Sequence, residues 1–316
     1  MSSFQAKFLS LCLVLCLALA AAGGLFQIYP PSQGNLNTSN APVENAQQQN
    51  TAPAIPKVSD ETQAVIDKIA PHKALYRMSI AELRAGSPVS DITGYMYYKW
   101  EDSCDAWSTD HRFNIKYSYT DRPSTYVTRH FVSWEAKTGH EMSFFSNGYA
   151  QGIQDMQIRG KAKRFQNAAG QVTYTTPEGV SEALPIGVLF PAGHTIETIK
   201  AARQGKTFFN AAMFDGTDDD GPLEVNVFIN SASSQTASKA QLSAEIDNTL
   251  LSGPAWDTRL AFFRVKGERA KSALPAYEMD IKMHENGIVS QIIVGYDKFS
   301  VKQELVALSK VSKPEC

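Results

Sequence analysis

The chain has 316 residues, with 30 basic and 32 acidic side chains, a formal net charge of −2 and 43% hydrophobic residues. Its basic residues are scattered and gather on no stripe, which excludes the electrostatic footprint of a nucleic-acid binder.

Lys7 is the only charged side chain in the first 26 residues, Phe8 to Ala22 is apolar, and small residues follow from Ala18 to Gly24. This pattern predicts a secretory signal peptide over 1–22, with Ala18-Leu19-Ala20 and Ala20-Ala21-Ala22 as cleavage motifs. The uncharged run reaches Phe26, about long enough to cross a bilayer, so an uncleaved N-terminal anchor is the alternative. Leu15 before Cys16 is too bulky for a lipidation signal. Residues 23–57 are rich in Asn, Gln, Ser, Thr, Pro and Ala and show no apolar periodicity. They read as a disordered polar spacer.

Residues 58–316 are expected to form a single domain. Ser59 to Ile69 predicts a helix, capped by Ser59, carrying Glu61 in its first turn and stopping before Pro71. Strands with one packed and one wet face follow. Phe113, Ile115, Tyr117 and Tyr119 alternate with polar residues, as do Leu223, Val225, Val227 and Ile229. A second helix is expected over Thr195 to Arg203, ending at Gly205. Near the end, Tyr277, Met279, Ile281 and Met283 alternate with Glu278, Asp280, Lys282 and His284. Asn286-Gly287 supplies a tight turn into a return strand through Ile288, Ile292, Val294 and Tyr296. The class is mainly β, a long antiparallel meander with a helix or two. Such a sheet must hide its edges or close on itself. If it curls around the second helix, its concave face is an apolar trough. Phe208, Phe209, Phe214, Phe262 and Phe263 are then candidate ligand-lining residues, or ordinary core. A membrane β-barrel fits less well, because helices interrupt the strands and many strands carry charges on both faces.

With Cys12 and Cys16 inside the leader, Cys104 and Cys316 are the cysteines of the folded part. An exported chain meets an oxidising compartment, the periplasm, which predicts a bridge between them. It would close a loop of more than two hundred residues, worth roughly 5 kcal/mol by chain entropy. Glu101, Asp102 and Asp105 disfavour a thiolate at Cys104, so the bridge reads as a stability device, with a redox role as the alternative.

Catalytic signatures are absent from the sequence: no Gly-rich phosphate loop, no G-x-S-x-G, no H-E-x-x-H and no C-x-x-C. The six histidines (72, 111, 130, 140, 194 and 284) lack ligand-like spacing. His111 and His130 are placed to face each other across neighbouring strands, as a solvent-facing pair or a metal site. Asp215, Asp218, Asp219 and Asp220 crowd one turn. Asp218 and Asp220 are weak candidates for a calcium site, against a reading in which Asp side chains cap backbone N–H groups. The same carboxylates would serve a hydrolase.

Six ordered segments carry a resemblance. They are Ala70-Pro71-His72-Lys73-Ala74-Leu75-Tyr76, Cys104-Asp105-Ala106-Trp107, Phe190-Pro191 ahead of His194-Thr195, the run Phe214 to Pro222, Glu285-Asn286-Gly287 and the terminal Cys316. Together they resemble the EipB family of periplasmic cell-envelope proteins of alphaproteobacteria, with Ala106 standing where glycine is expected. The resemblance implies a β-spiral or half-barrel curled around a helix, similar to the LolA and LolB lipoprotein carriers. It implies the Cys104–Cys316 disulfide, a role in cell-envelope integrity and a periplasmic tetratricopeptide-repeat partner. It brings no catalytic residue and no cofactor. The leading expectation is a non-enzymatic periplasmic protein that holds a lipid, acyl or peptide ligand in its concave face. The alternative is a protein–protein scaffold.

Overall fold

Fourteen strands alternate in direction through one continuous sheet. They are β1 (His72–Leu83), β2 (Val89–Asp102), β3 (Ala106–Tyr119), β4 (Thr125–Ala136), β5 (Glu141–Ala150), β6 (Ile153–Lys163), β7 (Gly170–Thr176) and β8 (Glu178–Leu184), then β9 (Phe208–Met213), β10 (Leu223–Ile229), β11 (Ala255–Arg264), β12 (Tyr277–His284), β13 (Val289–Gly295) and β14 (Phe299–Lys310). Two α-helices accompany them among the described residues, α1 (Asp60–Ile66) and α2 (Pro191–Arg203). The computed structural model describes residues 57–218, 220–230, 245–265 and 272–316. The leader, the spacer up to residue 56, Cys12, Cys16 and Asp219 lie outside the described residues.

The spatial order is β8-β7-β6-β5-β4-β3-β2-β1-β14-β13-β12-β11-β10-β9. Two meanders therefore meet at a seam where the first strand pairs with the last, from His72↔Lys310 to Leu83↔Phe299, with two bulges. The sheet is open, with β8 and β9 as its edges. The chain leaving β8 nearly joins them: Leu189 N donates to the Ala212 carbonyl (2.8 Å), and the Leu189 carbonyl accepts from Phe214 N (2.9 Å). α2 follows directly and leads into β9.

The alternations behave as the period of two demands. Phe113, Ile115 and Tyr117 are buried, as are Leu223, Val225, Val227 and Ile229, and Tyr277, Met279, Ile281 and Met283. Gly287 adopts φ +83° in the turn after β12. Ser290, Ile292 and Val294 of the return strand are buried in strict alternation, and a bulge between Lys282 and Met283 shifts its pairing with β12. Among the described residues no helix is long and apolar enough to cross a membrane.

Both helices differ from their expected bounds for local reasons. α1 stops at Ile66, because Lys68 and Ile69 donate to the carbonyls three residues back (Val65 and Ile66), the tighter 3₁₀ pattern of a closing turn. α2 begins at Pro191, four residues ahead of the expected Thr195, with its N-cap Phe190 supplying no side-chain bond. Pro suits this first position because its missing N–H is not needed there. Ile196 and Ile199 of α2 are buried against the sheet, each worth about 1.5–3 kcal/mol. α1 lies on α2 through Gln204 Nε2, which donates to Glu61 Oε2 at 2.7 Å.

Past β14, Val311 N donates to the Pro71 carbonyl at 2.9 Å, so the C-terminal tail begins beside the start of β1. The tail ends in a disulfide from Cys316 to Cys104, in the turn between β2 and β3, with Cα atoms 5.7 Å apart. That distance is ordinary for a bridge. Cys104 sits at φ +66°, and its N–H donates to Asp102 Oδ1 at 2.9 Å, which also accepts from Lys137 Nζ at 2.7 Å. The linked residues are 212 apart in sequence. Cys104→Ser and Cys316→Ser should each lower stability by a similar amount, up to about 5 kcal/mol, and the double variant should be little worse than either. Denaturant unfolding of the three variants checks this, and additive losses would contradict a shared bond.

Candidate functional site

The concave side of the sheet is organised around the start of α2. Glu135 projects inward from β4, and its Oε2 and Oε1 accept from the Ala192 and Gly193 backbone amides at 2.8 and 2.7 Å. These amides are orphan donors at a helix start, where the macrodipole favours an acidic group. A Cβ at Gly193 would stand 3.3 Å from Glu135 Oε1, so glycine keeps the approach open. Burial pushes Glu135 up to about 7, against the two amide bonds and Arg164, which pull it down. The cap that α2 lacks in its own sequence is thus supplied by a strand.

Beneath this helix start lies a cavity of about 120 Å³. Both arms of the sheet line it, with Trp100, His111 and Phe131 on one side, Phe262 and Met279 on the other, and His194 of α2. The walls are mostly rings and thioethers. Tyr98 and His111 meet edge to face at 4.5 Å, His111 and Phe131 at 5.8 Å, while Phe262 stacks on Tyr277 at 4.3 Å. Among the described residues, three nitrogens in this lining have no hydrogen-bond partner: Trp100 Nε1, His111 Nδ1 and His194 Nε2. Burial brings His111 down to about 3, the neighbouring Asp110 working upward and His130 downward, and brings His194 down to about 4. Both imidazoles are therefore neutral near pH 7.

The acidic loop after β9 is internally satisfied. Asp215 Oδ1 accepts from Thr217 N (3.0 Å) and Thr217 Oγ1 (2.7 Å), and Asp218 Oδ1 accepts from Asp220 N (3.0 Å). Arg264 of β11 reaches Asp218 at 3.0 Å and Asp220 at 3.2 Å. Burial disfavours that cation, but Asp218, through charge and hydrogen bond, and Asp220 raise its pKa. The two candidate cation ligands thus face a guanidinium. Among the described residues, no group of three or more His, Cys, Asp or Glu is placed to hold a metal. Gly216 adopts φ +70°, and a Cβ there would fall 2.6 Å from the Phe144 ring.

Of the five phenylalanines read as lining candidates, Phe262 lines the cavity. Phe209 packs on His194, ring centroids 5.9 Å apart. Phe214 is fully buried against Phe144 at 5.6 Å and belongs to the core. Phe208 is 48% exposed and meets Phe228 on the outer face at 5.0 Å. Phe263 lies across the strand from Phe262 and is half-buried. The cause is parity: consecutive residues of a strand point to opposite faces, so Phe208-Phe209 and Phe262-Phe263 each send one ring outward. The expected His111–His130 pair fails for the same reason. Register sets His111 opposite Phe131 and His130 opposite Arg112, and His130 turns outward to Asp110 at 3.1 Å. His111 itself could have been placed inside, since it continues the parity of Phe113 and Ile115. Trp100 and His194 left no comparable signal.

A family model described as EipB-like matches residues 63–312. The chain is 23% identical over 243 residues to the cell envelope integrity protein EipB of Brucella abortus (strain 2308), a match that spans 76% of this chain and 84% of that protein. A crystal structure of a β-barrel-like protein of the domain of unknown function DUF1849, also from Brucella abortus, superposes with a TM-score of 0.70 at 22% identity. It covers 77% of this chain and 99% of that one. At that identity the likeness shows the fold.

The buried polar groups set the pH dependence of stability. Burial lowers His72, His194 and His284 to about 4 and His111 to about 3, from an ordinary 6.5. A base depressed in this way contributes stability that is present above pH 6.5 and is lost as pH falls toward the folded value. Glu135, Asp215 and Asp218, all raised by burial, act oppositely: their contribution is full below the ordinary carboxylate range and fades as pH rises through the folded values. The four bases outnumber these three acids, so the melting temperature should fall between pH 7 and pH 5. His72→Phe, which keeps a ring beside Tyr98 and Trp100, should flatten that decline by about 1.4 kcal/mol per pH unit. Denaturant unfolding at pH 7, 6 and 5 measures both effects.

Proposed function

The chain belongs to the EipB-like family, and we propose that it supports cell-envelope integrity from the periplasm as a non-enzymatic binding protein. In this reading the space between α2 and the sheet holds the apolar end of an envelope molecule. The name of its Brucella abortus relative supports the envelope role. The predicted leader and the Cys104–Cys316 bridge support an oxidising compartment.

One observation carries the binding reading: a ring-lined cavity at the one place where both sheet arms and α2 converge. Ligand sites of this kind are concave, largely apolar and furnished with few polar groups. Catalysis would ask for an acid, base or nucleophile within hydrogen-bond reach of a partner. His111 and His194 instead make ring contacts alone among the described residues. The carboxylates of Asp218 and Asp220 face Arg264. The size of the space limits what enters. At about 120 Å³ it is slightly smaller than a cavity of about 150 Å³ that accepts benzene. A cavity of this size therefore takes one end of a lipid-like molecule, with the remainder outside.

Native mass spectrometry of protein released from cells without detergent should show a bound small-molecule mass. Ala192→Met fills the cavity from α2 while leaving the amide bonded to Glu135. It should abolish that mass and sensitise the dependent strain to detergent, with circular dichroism unchanged. An undiminished adduct in the variant would overturn the proposal.

A further inference from the structure

The unpartnered nitrogens of the cavity restrict what its occupant is. We infer that the cavity is built for an uncharged, ring-sized group bearing a hydroxyl or carbonyl oxygen, held by hydrogen bonds from Trp100 Nε1 and the imidazoles of His111 and His194. The inference rests on the interior-binding reading above and specifies its ligand.

Hydrogen bonding comes first. Trp100, His111 and His194 are at most 4% exposed, and among the described residues Trp100 Nε1, His111 Nδ1 and His194 Nε2 have no partner. Buried polar groups in folded proteins nearly always have one, and each exception calls for an explanation. An indole Nε1–H only donates, and a neutral imidazole offers a donor on one nitrogen and an acceptor on the other. An oxygen that accepts, or both accepts and donates, is the chemical complement of each of these groups.

Charge comes second. Among the described residues no Lys or Arg lines the cavity, and Asp215 is part of its wall. The positive end of α2, which would otherwise attract an anion, is already engaged by Glu135 through the Ala192 and Gly193 amides. The imidazoles are neutral because burial depresses both. An anionic head would enter without a counter-charge, at heavy desolvation cost. A cation would find one carboxyl whose Oδ1 already holds Thr217.

Shape comes third. The volume of about 120 Å³ is near that of a single six-membered ring. The lining offers ring faces and edges from Trp100, Phe131 and Phe262 together with thioethers from Met213, Met279 and Met283. Aromatic and sulfur surfaces favour a flat π system over a flexible alkyl chain.

Titration of the folded protein with 4-methylphenol, toluene and benzoate, followed by calorimetry and the Trp100 indole NMR signal, tests the assignment. The signal is assigned by its disappearance in Trp100→Phe. We expect 4-methylphenol to bind about ten-fold or more tighter than toluene and to shift that signal, and benzoate not to bind. Trp100→Phe and His111→Phe should each bring 4-methylphenol down to the affinity of toluene while toluene binding stays. His194→Gln, which keeps a donor and an acceptor, should retain part of the preference. Equal affinity for toluene and 4-methylphenol would overturn the polar assignment while leaving an apolar cavity in place. Tighter binding of benzoate would overturn the charge assignment. Failure of all three to bind would mean the nitrogens meet only water, and would remove the interior-binding reading as well.

Discussion

Pairing of the first strand with the last is the constraint from which the rest of this structure follows. Once β1 and β14 form the centre of the sheet, its free edges must be the strands from the middle of the chain, β8 and β9. The connection between those edges crosses in the short segment after β8, since Leu189 already bonds to Ala212 and Phe214 at the end of β9, and α2 follows from Pro191. Glu135 catches the helix at its first amides and so fixes where it starts. Joining strands so distant in sequence carries a loop-closure cost that local hairpins do not. The disulfide lies beside the same seam: Val311 pairs with Pro71, and the tail runs on to Cys104. Covalent linkage and seam thus hold the two chain ends at one place, and the bridge reduces in the unfolded chain the entropy that the seam must overcome.

An open sheet leaves edges that invite pairing with other chains. Here Leu189 occupies hydrogen-bonding positions at the end of β9, so one edge is partly covered by the segment that departs from the other. Near-closure without a full ring leaves room for a helix and a cavity where a smaller closed barrel would be filled by its own side chains. The outer face is held differently. Its ion pairs, such as Arg259 with Asp280 and Arg77 with Glu304, are exposed and contribute little to stability. Solubility is their plainer role, and the forces that specify the fold act from inside.

Which parts of this were legible in the sequence depends on how far each signal reaches along the chain. Alternation is local, so Val225, Val227, Met279 and Ile281 could be assigned to the buried face from their own neighbours. Asn286-Gly287 announced its turn in the same way. The seam could not be read from periodicity, because no pattern within β1 names β14 as its partner. The start of α2 was displaced because its cap comes from Glu135, distant in sequence, while Phe190 offers none. Among the lining candidates, residue type was followed where parity should have been. Two consecutive phenylalanines on a strand cannot both face inward, and Phe208 and Phe263 lie outside for that reason alone. His111 obeyed the very alternation that identified Phe113, but a histidine among aromatic residues does not declare itself as core.

Neutral polar side chains in the interior are the feature that packing alone does not account for. Phenylalanine or leucine at the positions of His111 and His194 would meet the same aromatic neighbours without depressed titration or unmade hydrogen bonds, and such replacement of buried polar groups is often neutral or stabilising. Proteins depart from the most stable choice chiefly where function requires it. Unpartnered buried groups occur elsewhere among the described residues too, as at Trp107 Nε1, Tyr117 Oη and Ser146 Oγ, but three of them, on Trp100 of β2, His111 of β3 and His194 of α2, belong to residues that line one cavity. The cavity takes its polar groups from one arm of the sheet and from α2 and its apolar wall, Phe262 and Met279, from the other arm, so the site exists only when the whole fold is assembled.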